Sequence, residues 1–302
     1  MAHSPITLEP ATLAKLSGLE LRARRIVDGA LSGAQRSPQR GSSIEFAEHR
    51  EYAPGDDLRH VDWKVYGKTD KYYLKQYEQE TNLICYLALD ASASMEYRGP
   101  EAAWSKWQCA QTIAAMLAYL VLRQRDTVGA ALFSDTVVQS LEPAGSAGHW
   151  PAVLHTLEQQ TPAGKTAFQP VMRRLMEDWP RRGLVIVLSD FLVDLEEVVT
   201  GLRFLRFYRH DVLAIQVIDP AEREFPFRDT TVFHGLEGEP ELTVDASRLR
   251  TAYAREFEAH QRGLQAACRE LGCDHWLVST TDPLDTVLSR FLAQRMHSAT
   301  RV

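Results

Sequence analysis

A tight D-x-S-x-S run, Asp90-Ala91-Ser92-Ala93-Ser94, carries one carboxylate and two hydroxyls, and two more oxygen-bearing residues stand further along the chain. Thr166 closes Gly164-Lys165-Thr166, and Asp190 lies in Leu188-Ser189-Asp190-Phe191. Two carboxylates and three hydroxyls with no neighbouring Cys or His form a hard, all-oxygen donor set. Such a set suits Mg2+ or Mn2+, which take octahedral oxygen shells and keep some water, and it does not suit structural zinc. Two aspartates at most neutralise the ion and hydroxyls add no charge, so a cation held there stays electrophilic toward an additional anion such as a partner's Asp or Glu. The alternative is a metal-free polar network, because Ser, Thr and Asp are favoured helix N-caps. Capping accounts for each residue singly but not for three separate loops with the same chemistry.

The elements around these residues predict how they meet. Leu83 to Leu89 (LICYLAL) and Leu184 to Leu188 (LVIVL) are continuous apolar runs, as expected of parallel strands covered on both faces. Thr127 to Phe133, Val137 to Leu141, Val212 to Ile218 and His275 to Ser279 read as further strands. Between them lie helical stretches: a face from Trp104 and Trp107 to Val121, then His149 to Gln160, Pro170 to Trp179, Leu195 to Tyr208, a stripe from Leu249 to Leu271, and Leu284 to Met296. Apolar strands alternating with helices predict an α/β fold with a doubly wound, mainly parallel sheet and a ligand crevice at the strands' C-terminal ends. Asp90 and Asp190 both follow such strands directly.

The 302 residues suffice for about two domains, and 45% hydrophobic with 25% charged residues is ordinary globular composition. The reading divides the chain into an N-terminal unit over 1–80, an α/β domain over 81–295 with an irregular insertion at about 219–245 packed over an edge of the sheet, and a tail over 296–302. Residues 8–31 read as one helix or two. A net charge of −6 opposes nucleic-acid binding unless basic groups cluster; Arg22, Arg24, Arg25, Arg36 and Arg40 do, but at helical spacing that suits a solvated face. No apolar run reaches membrane-spanning length and the start lacks a secretory pattern, so a cytoplasmic protein without a membrane segment is expected. Cys85, Cys109, Cys268 and Cys273 sit in apolar patterns without a C-x-x-C pair, so reduced core thiols are expected.

Asp90, Ser92, Ser94, Thr166 and Asp190 match, in chain order and strand context, the metal-ion-dependent adhesion site of von Willebrand factor A-like domains, and the stretch 81–295 resembles that fold. The preceding block resembles the signature of the bacterial "domain of unknown function 58" family. It comprises Glu45-Phe46, Glu48, Arg50-Glu51-Tyr52, Pro54-Gly55-Asp56-Asp57, Arg59, Val61-Asp62-Trp63-Lys64 and Lys75-Gln76-Tyr77. That resemblance implies a protein partner, a MoxR-type AAA+ ATPase, acting with this chain on an unknown client, and it implies no catalytic reaction. Many relatives carry N-terminal membrane segments; this chain looks like the short form. Within the block, Asp56, Asp57 and Asp62 stand near Arg50, Arg59, Lys64 and Lys75. The expected role of Arg50, Asp56, Asp57, Arg59, Asp62 and Trp63 is an ion-paired structural or docking knot rather than a second metal cluster.

Competing chemistries find few parts. Gly164-Lys165-Thr166 lacks the upstream glycine of a phosphate loop, since position 159 is Gln159. Gly145-Ser146-Ala147-Gly148 is too short for a dinucleotide fingerprint, and no nucleophile elbow or H-E-x-x-H helix occurs. A Mg2+-dependent phosphoesterase is the alternative function, but an aspartyl nucleophile of that kind wants a carboxylate two residues on, where Ser92 stands. The protein is therefore expected not to be an enzyme. Trp104 and Trp107 are expected to pack in the core, and His260 to be a surface or satisfied residue.

Overall fold

A computed structural model describes residues 18–34, 50–51, 73–74, 83–146 and 148–299. In chain order the elements are α1 (Gly18–Ala34), β1 (Arg50–Glu51), β2 (Tyr73–Leu74), β3 (Ile84–Asp90), α2 (Lys106–Arg123), β4 (Thr127–Phe133), β5 (Val137–Ala144), α3 (His149–Glu158), α4 (Phe168–Asp178), β6 (Leu184–Ser189), α5 (Leu195–Phe207), β7 (Asp211–Ile218), α6 (Pro220–Glu224), β8 (Thr230–Phe233), β9 (Leu242–Asp245), α7 (Ala246–Leu271), β10 (Asp274–Ser279) and α8 (Leu284–Ala299). One 3-10 turn, Ala93–Glu96, follows β3.

The central sheet has six strands in the order β10-β7-β6-β3-β4-β5, all parallel except β5, which runs antiparallel to β4. Alternate residues of each strand serve opposite faces. In β3, Cys85, Leu87 and Leu89 join the layer containing α1, α2, α3 and α8, whereas Tyr86 and Ala88 join the layer containing α4, α5 and α7. Both faces are covered, which explains the unbroken apolar strands. From β3 the chain moves to β4 on one side, and β6 later docks on the other. The C-terminal ends of β3 and β6 therefore flank the switch point at which doubly wound sheets open a crevice.

The chain separates into two compact units, residues 1–35 with 83–302 and residues 36–82. This differs from the 1–80 unit drawn from the sequence. The reason is packing: Leu19, Ala23 and Val27 of α1 are buried in the same core as Trp107, Trp150 and Phe291. In the second unit β1 pairs antiparallel with β2, Arg50 opposite Leu74 and Glu51 opposite Tyr73. Asp56, Asp57, Arg59, Asp62 and Trp63, and the side chain of Arg50, lie outside the described residues, as do Arg36 and Arg40.

Three further expectations change. Helix α2 begins one residue after Ser105, whose hydroxyl accepts from the Gln108 N–H while the Gln108 side chain accepts from the Ser105 N–H, so Trp104 precedes the helix instead of lying on its face. Trp107 is in the core, and Trp104 packs against it half-buried beneath the Arg22 guanidinium, 5.7 Å from the ring centroid. Arg24 pairs with Glu20 at 2.7 Å and lies over Tyr119, so this part of the basic helix is not a purely solvated face. The stretch 219–245 is only partly irregular. Asp219 and Glu222 form a reciprocal cap on α6 with Pro220 in its first turn, and the β-branched run Thr230-Thr231-Val232 pairs with β9 in a hairpin. Its tip reaches the loop before α4, at the strands' C-terminal ends, instead of an edge of the sheet.

Gly183 lets β6 lie flush against β3: a Cβ there would stand 2.3 Å from the Ile84 carbonyl oxygen and 2.9 Å from the Tyr86 ring. Tyr86 is itself stacked on buried Trp179 at 4.7 Å and has no room to yield. Gly183→Ala is expected to cost about 1–3 kcal/mol through overpacking, read as a lowered urea midpoint; an unchanged midpoint would show that the strands separate freely.

Candidate functional site

Asp90 ends β3 and Asp190 follows β6, so parallel pairing of these strands sets both carboxylates at one end of the sheet. Neither is exposed beyond 1%. Asp90 Oδ1 accepts from the Ser92 N–H at 2.9 Å and Oδ2 accepts from the Ser189 hydroxyl at 2.6 Å. Thr166 Oγ1 lies 3.4 and 3.3 Å from the two Asp90 oxygens, and the Ser92 and Ser94 hydroxyls are 3.0 Å apart. The Ser94 side chain in turn helps to lower the Asp190 carboxyl. All five residues singled out from the sequence are thus brought together. Backbone bonds hold their loops in register: the Ala93 N–H donates to Gly164 O at 3.0 Å, and the Ala163 N–H to Ala91 O at 2.8 Å.

The electrostatics of the two aspartates differ. Burial, followed by repulsion from Asp190, pushes the Asp90 carboxyl up to about 7, against the lowering effect of its Ser189 and Ser92 hydrogen bonds. Burial acts on Asp190 in the same direction, but the Lys106 ammonium, 2.7 Å from Oδ2, outweighs it and holds Asp190 below the usual carboxylate range. Lys106 is 1% exposed and also donates to Glu222 Oε1 at 2.5 Å. Burial alone would lower the ammonium; the two carboxylates raise it above its ordinary value.

Lys106, Ser189 and Glu222 were not singled out from the sequence. Ser189 adjoins Asp190, and Lys106 is the one cation from Lys106 to Leu122, at the start of a mainly apolar helix, a signal that a buried counter-charge is needed. Glu222 was visible as the fourth residue of the capping pattern Asp219-Pro220-Ala221-Glu222. Asp219 is more than a cap: it also accepts from the Gly99 N–H at 2.9 Å and the Thr280 hydroxyl at 3.1 Å, tying α6 to the loop before α2 and to the end of β10. His260 Nε2 meets Phe191 O at 2.7 Å and is a satisfied residue. The four cysteines are buried and unbridged.

Among the described residues no group of three or more His, Cys, Asp or Glu side chains is gathered to hold a metal. Only two carboxylates meet here, so hydroxyls would have to complete a shell. The donors fit a hard divalent cation in kind. Among the described residues Lys106 compensates Asp190, whereas Asp90 has hydroxyl and N–H donors about it but no cationic partner, so its charged form is costly where it faces Thr166, Ser92 and Ser94.

The family described as "Protein of unknown function DUF58" matches residues 48–263. The chain belongs to the DUF58 family. Over its full length this DUF58 protein is 30% identical to the uncharacterized protein Rv1480 of Mycobacterium tuberculosis, the alignment covering 99% of this chain and 96% of that one. It is equally similar to the uncharacterized protein Mb1516 of Mycobacterium bovis, at 30% identity over 99% and 96% of the two chains. Among solved structures, the conserved hypothetical protein BatB from Bacteroides thetaiotaomicron superposes with a TM-score of 0.50 at 15% identity, covering 72% of this chain and 99% of that chain. That likeness concerns the fold. Both have a chain path consistent with the six-stranded, mostly parallel sheet flanked by helices described above. Among the described residues no helix is long and apolar enough to cross a membrane.

Proposed function

We propose that this DUF58 protein is a protein-binding adaptor whose recognition site is the loop cluster at the β3–β6 switch point. Asp90, Ser92 and Ser94 would hold Mg2+ or Mn2+, with Thr166 and Asp190 acting directly or through water. The bound ion would supply an electrophilic position for a carboxylate of the partner. The observation that carries the reading is Asp90, fully buried and uncompensated among hydroxyls from separate loops. The buried floor keeps these donors fixed, while half-buried Ser94 and Thr166 form the side open to a visitor. The partners proposed are a MoxR-type AAA+ ATPase, which would supply the energy for assembly or maturation work, and a client protein recognised here, both in the cytoplasm. The phosphoesterase alternative gains nothing from the geometry, since Ser92 Oγ meets Ser94 and, among the described residues, no third carboxylate joins Asp90 and Asp190.

The test is affinity capture with the intact chain, with and without EDTA, followed by identification of the bound proteins. Capture of an ATPase of this class that EDTA and Asp90→Ala each reduce at least tenfold is the expected result. Capture indifferent to both would remove the cation from recognition, and Mg2+-dependent turnover of a phosphoester panel lost in Asp90→Ala would replace the adaptor by an enzyme.

A further inference from the structure

The end of the sheet opposite the loop cluster gathers arginines. Strands β3, β4, β6 and β7 are parallel, so the turns that lead into β4, β6 and β7 share that end. Arg125 stands before β4, Arg181 and Arg182 before β6, and Arg209 before β7, all exposed. Helices α2, α5 and α7 close with the same two backbone bonds, a pattern that takes a left-handed residue. In α7 that residue is Gly272 at φ +65°, its N–H donating to Arg269 O at 3.2 Å and the Cys273 N–H to Cys268 O at 2.8 Å. In α5 it is Arg209 at φ +65°, its N–H donating to Arg206 O at 2.9 Å and the His210 N–H to Leu205 O at 3.2 Å. In α2 it is Arg125 at φ +60°. Glycine adopts this conformation freely and a Cβ makes it costly, so what arginine adds at both places is an exposed cation.

Phe207 and Tyr208 directly precede Arg209 and are 78% and 46% exposed, their rings 5.7 Å apart edge to face. Arg182 and Arg206 share the Asp211 carboxylate at 3.4 and 3.3 Å. Arg203, one helical turn before Phe207, is exposed, and among the described residues no carboxylate lies within ion-pair distance of Arg181, Arg203 or Arg209. Glu142, Asp211 and Asp274 at the same end offset the arginines only in part. Two exposed rings set among cations fit an anionic partner that also carries apolar side chains. The chain's net charge of −6 opposes a continuous anionic surface such as a membrane or a nucleic acid. Asp211, 63% accessible amid the arginines, repels a phosphate array too, whereas separate carboxylates can settle on the guanidinium groups around it.

We propose that the turn Phe207-Tyr208-Arg209, with Arg181 and Arg182 beside it, is a second docking surface of this protein, which takes an acidic segment of a partner protein bearing apolar side chains. It does not depend on a bound cation.

The experiment follows the anisotropy of a short fluorescein-labelled peptide of glutamate and leucine titrated with the full chain in EDTA. Arg209→Gly and Phe207→Ser are each expected to weaken binding about tenfold, the loss of a central contact, while Arg255→Ser on an exposed face of α7 leaves it unchanged. Arg209→Gly suits the left-handed backbone and should melt no lower than the wild type, which separates lost binding from a lost fold. Equal peptide affinity in the wild type and both variants overturns the assignment, as does a wild type that does not bind the peptide. Phosphatidylglycerol vesicles or an RNA hairpin that bind more tightly than the peptide, and lose that binding in Arg209→Gly, replace the acidic segment by a phosphate surface and overturn it equally. Failure of the metal reading leaves these outcomes unaltered, since EDTA is present throughout.

Discussion

Lys106→Met is expected to destabilise the protein by about 3–5 kcal/mol, the loss seen when one partner of a buried ion pair is removed and the other is left charged in the interior. Methionine fills a similar volume, so cavity formation contributes little and the effect isolates the charge. Asp190 and Glu222 then face each other without the ammonium that sits 2.7 and 2.5 Å from them. The sign of the pH dependence reverses as well. In the wild type the Asp190 carboxyl lies below its ordinary value, so its stabilisation is present at neutral pH and is lost on acidification through the folded value. In the variant only the hydrogen bonds from the Leu192 N–H and Ser94 oppose burial, the carboxyl rises above its unfolded value, and its contribution to stability falls as pH increases. Urea midpoints at pH 5 and pH 8 check this, the fall towards pH 8 being steeper in Lys106→Met than in the wild type, with the Lys106→Met, Asp190→Asn double variant regaining part of the loss. A variant as stable as the parent at pH 8 would mean that water reaches the cluster.

Asp90→Asn is expected to do the opposite to the metal-free protein while abolishing its response to Mg2+. With its carboxyl raised to about 7, folded Asp90 binds more protons than the unfolded chain between pH 4 and 7. Its favourable contribution is therefore complete below the unfolded value and is lost as pH rises through about 7. Metal-free wild type should melt lower at pH 8 than at pH 5, and the variant should show a flatter profile and a higher melting temperature at pH 8. Saturating Mg2+ should restore the wild type at pH 8, by about 2.7 kcal/mol at a hundredfold excess over the dissociation constant, and leave the variant unmoved. Thermal melts with Mg2+ or EDTA at the two pH values provide the check. A wild type that ignores Mg2+ throughout would leave Asp90 as a buried acid with no cationic role.

Much of this could be read from residue order. LICYLAL and LVIVL are strands because both faces of the sheet are roofed, and Asp90 and Asp190 meet because parallel strands end on the same side. Lys106 was harder to see, since its partners lie 84 and 116 residues away and nothing local marks them as neighbours. The hairpin was hidden by its Gly, Pro and Glu content, which obscures short β-branched runs held mainly by each other and by the aromatic group at their base. Helix α1 was assigned to the wrong unit because amphipathic periodicity shows that a helix must bury one face and is silent on which surface receives it. The knot proposed around Asp56, Asp57, Arg59, Asp62 and Trp63 lies outside the described residues.

Leu19, Ala23 and Val27 near the beginning of the chain share a core with Leu284, Val287, Leu288 and Phe291 near its end. An emerging polypeptide can therefore cover that amphipathic segment in part once α2 and α3 have been made, and wholly only when α8 has joined them. Its apolar stripe is a natural handle for a chaperone during synthesis, and closure of the layer is a late, slow event governed by long-range contacts.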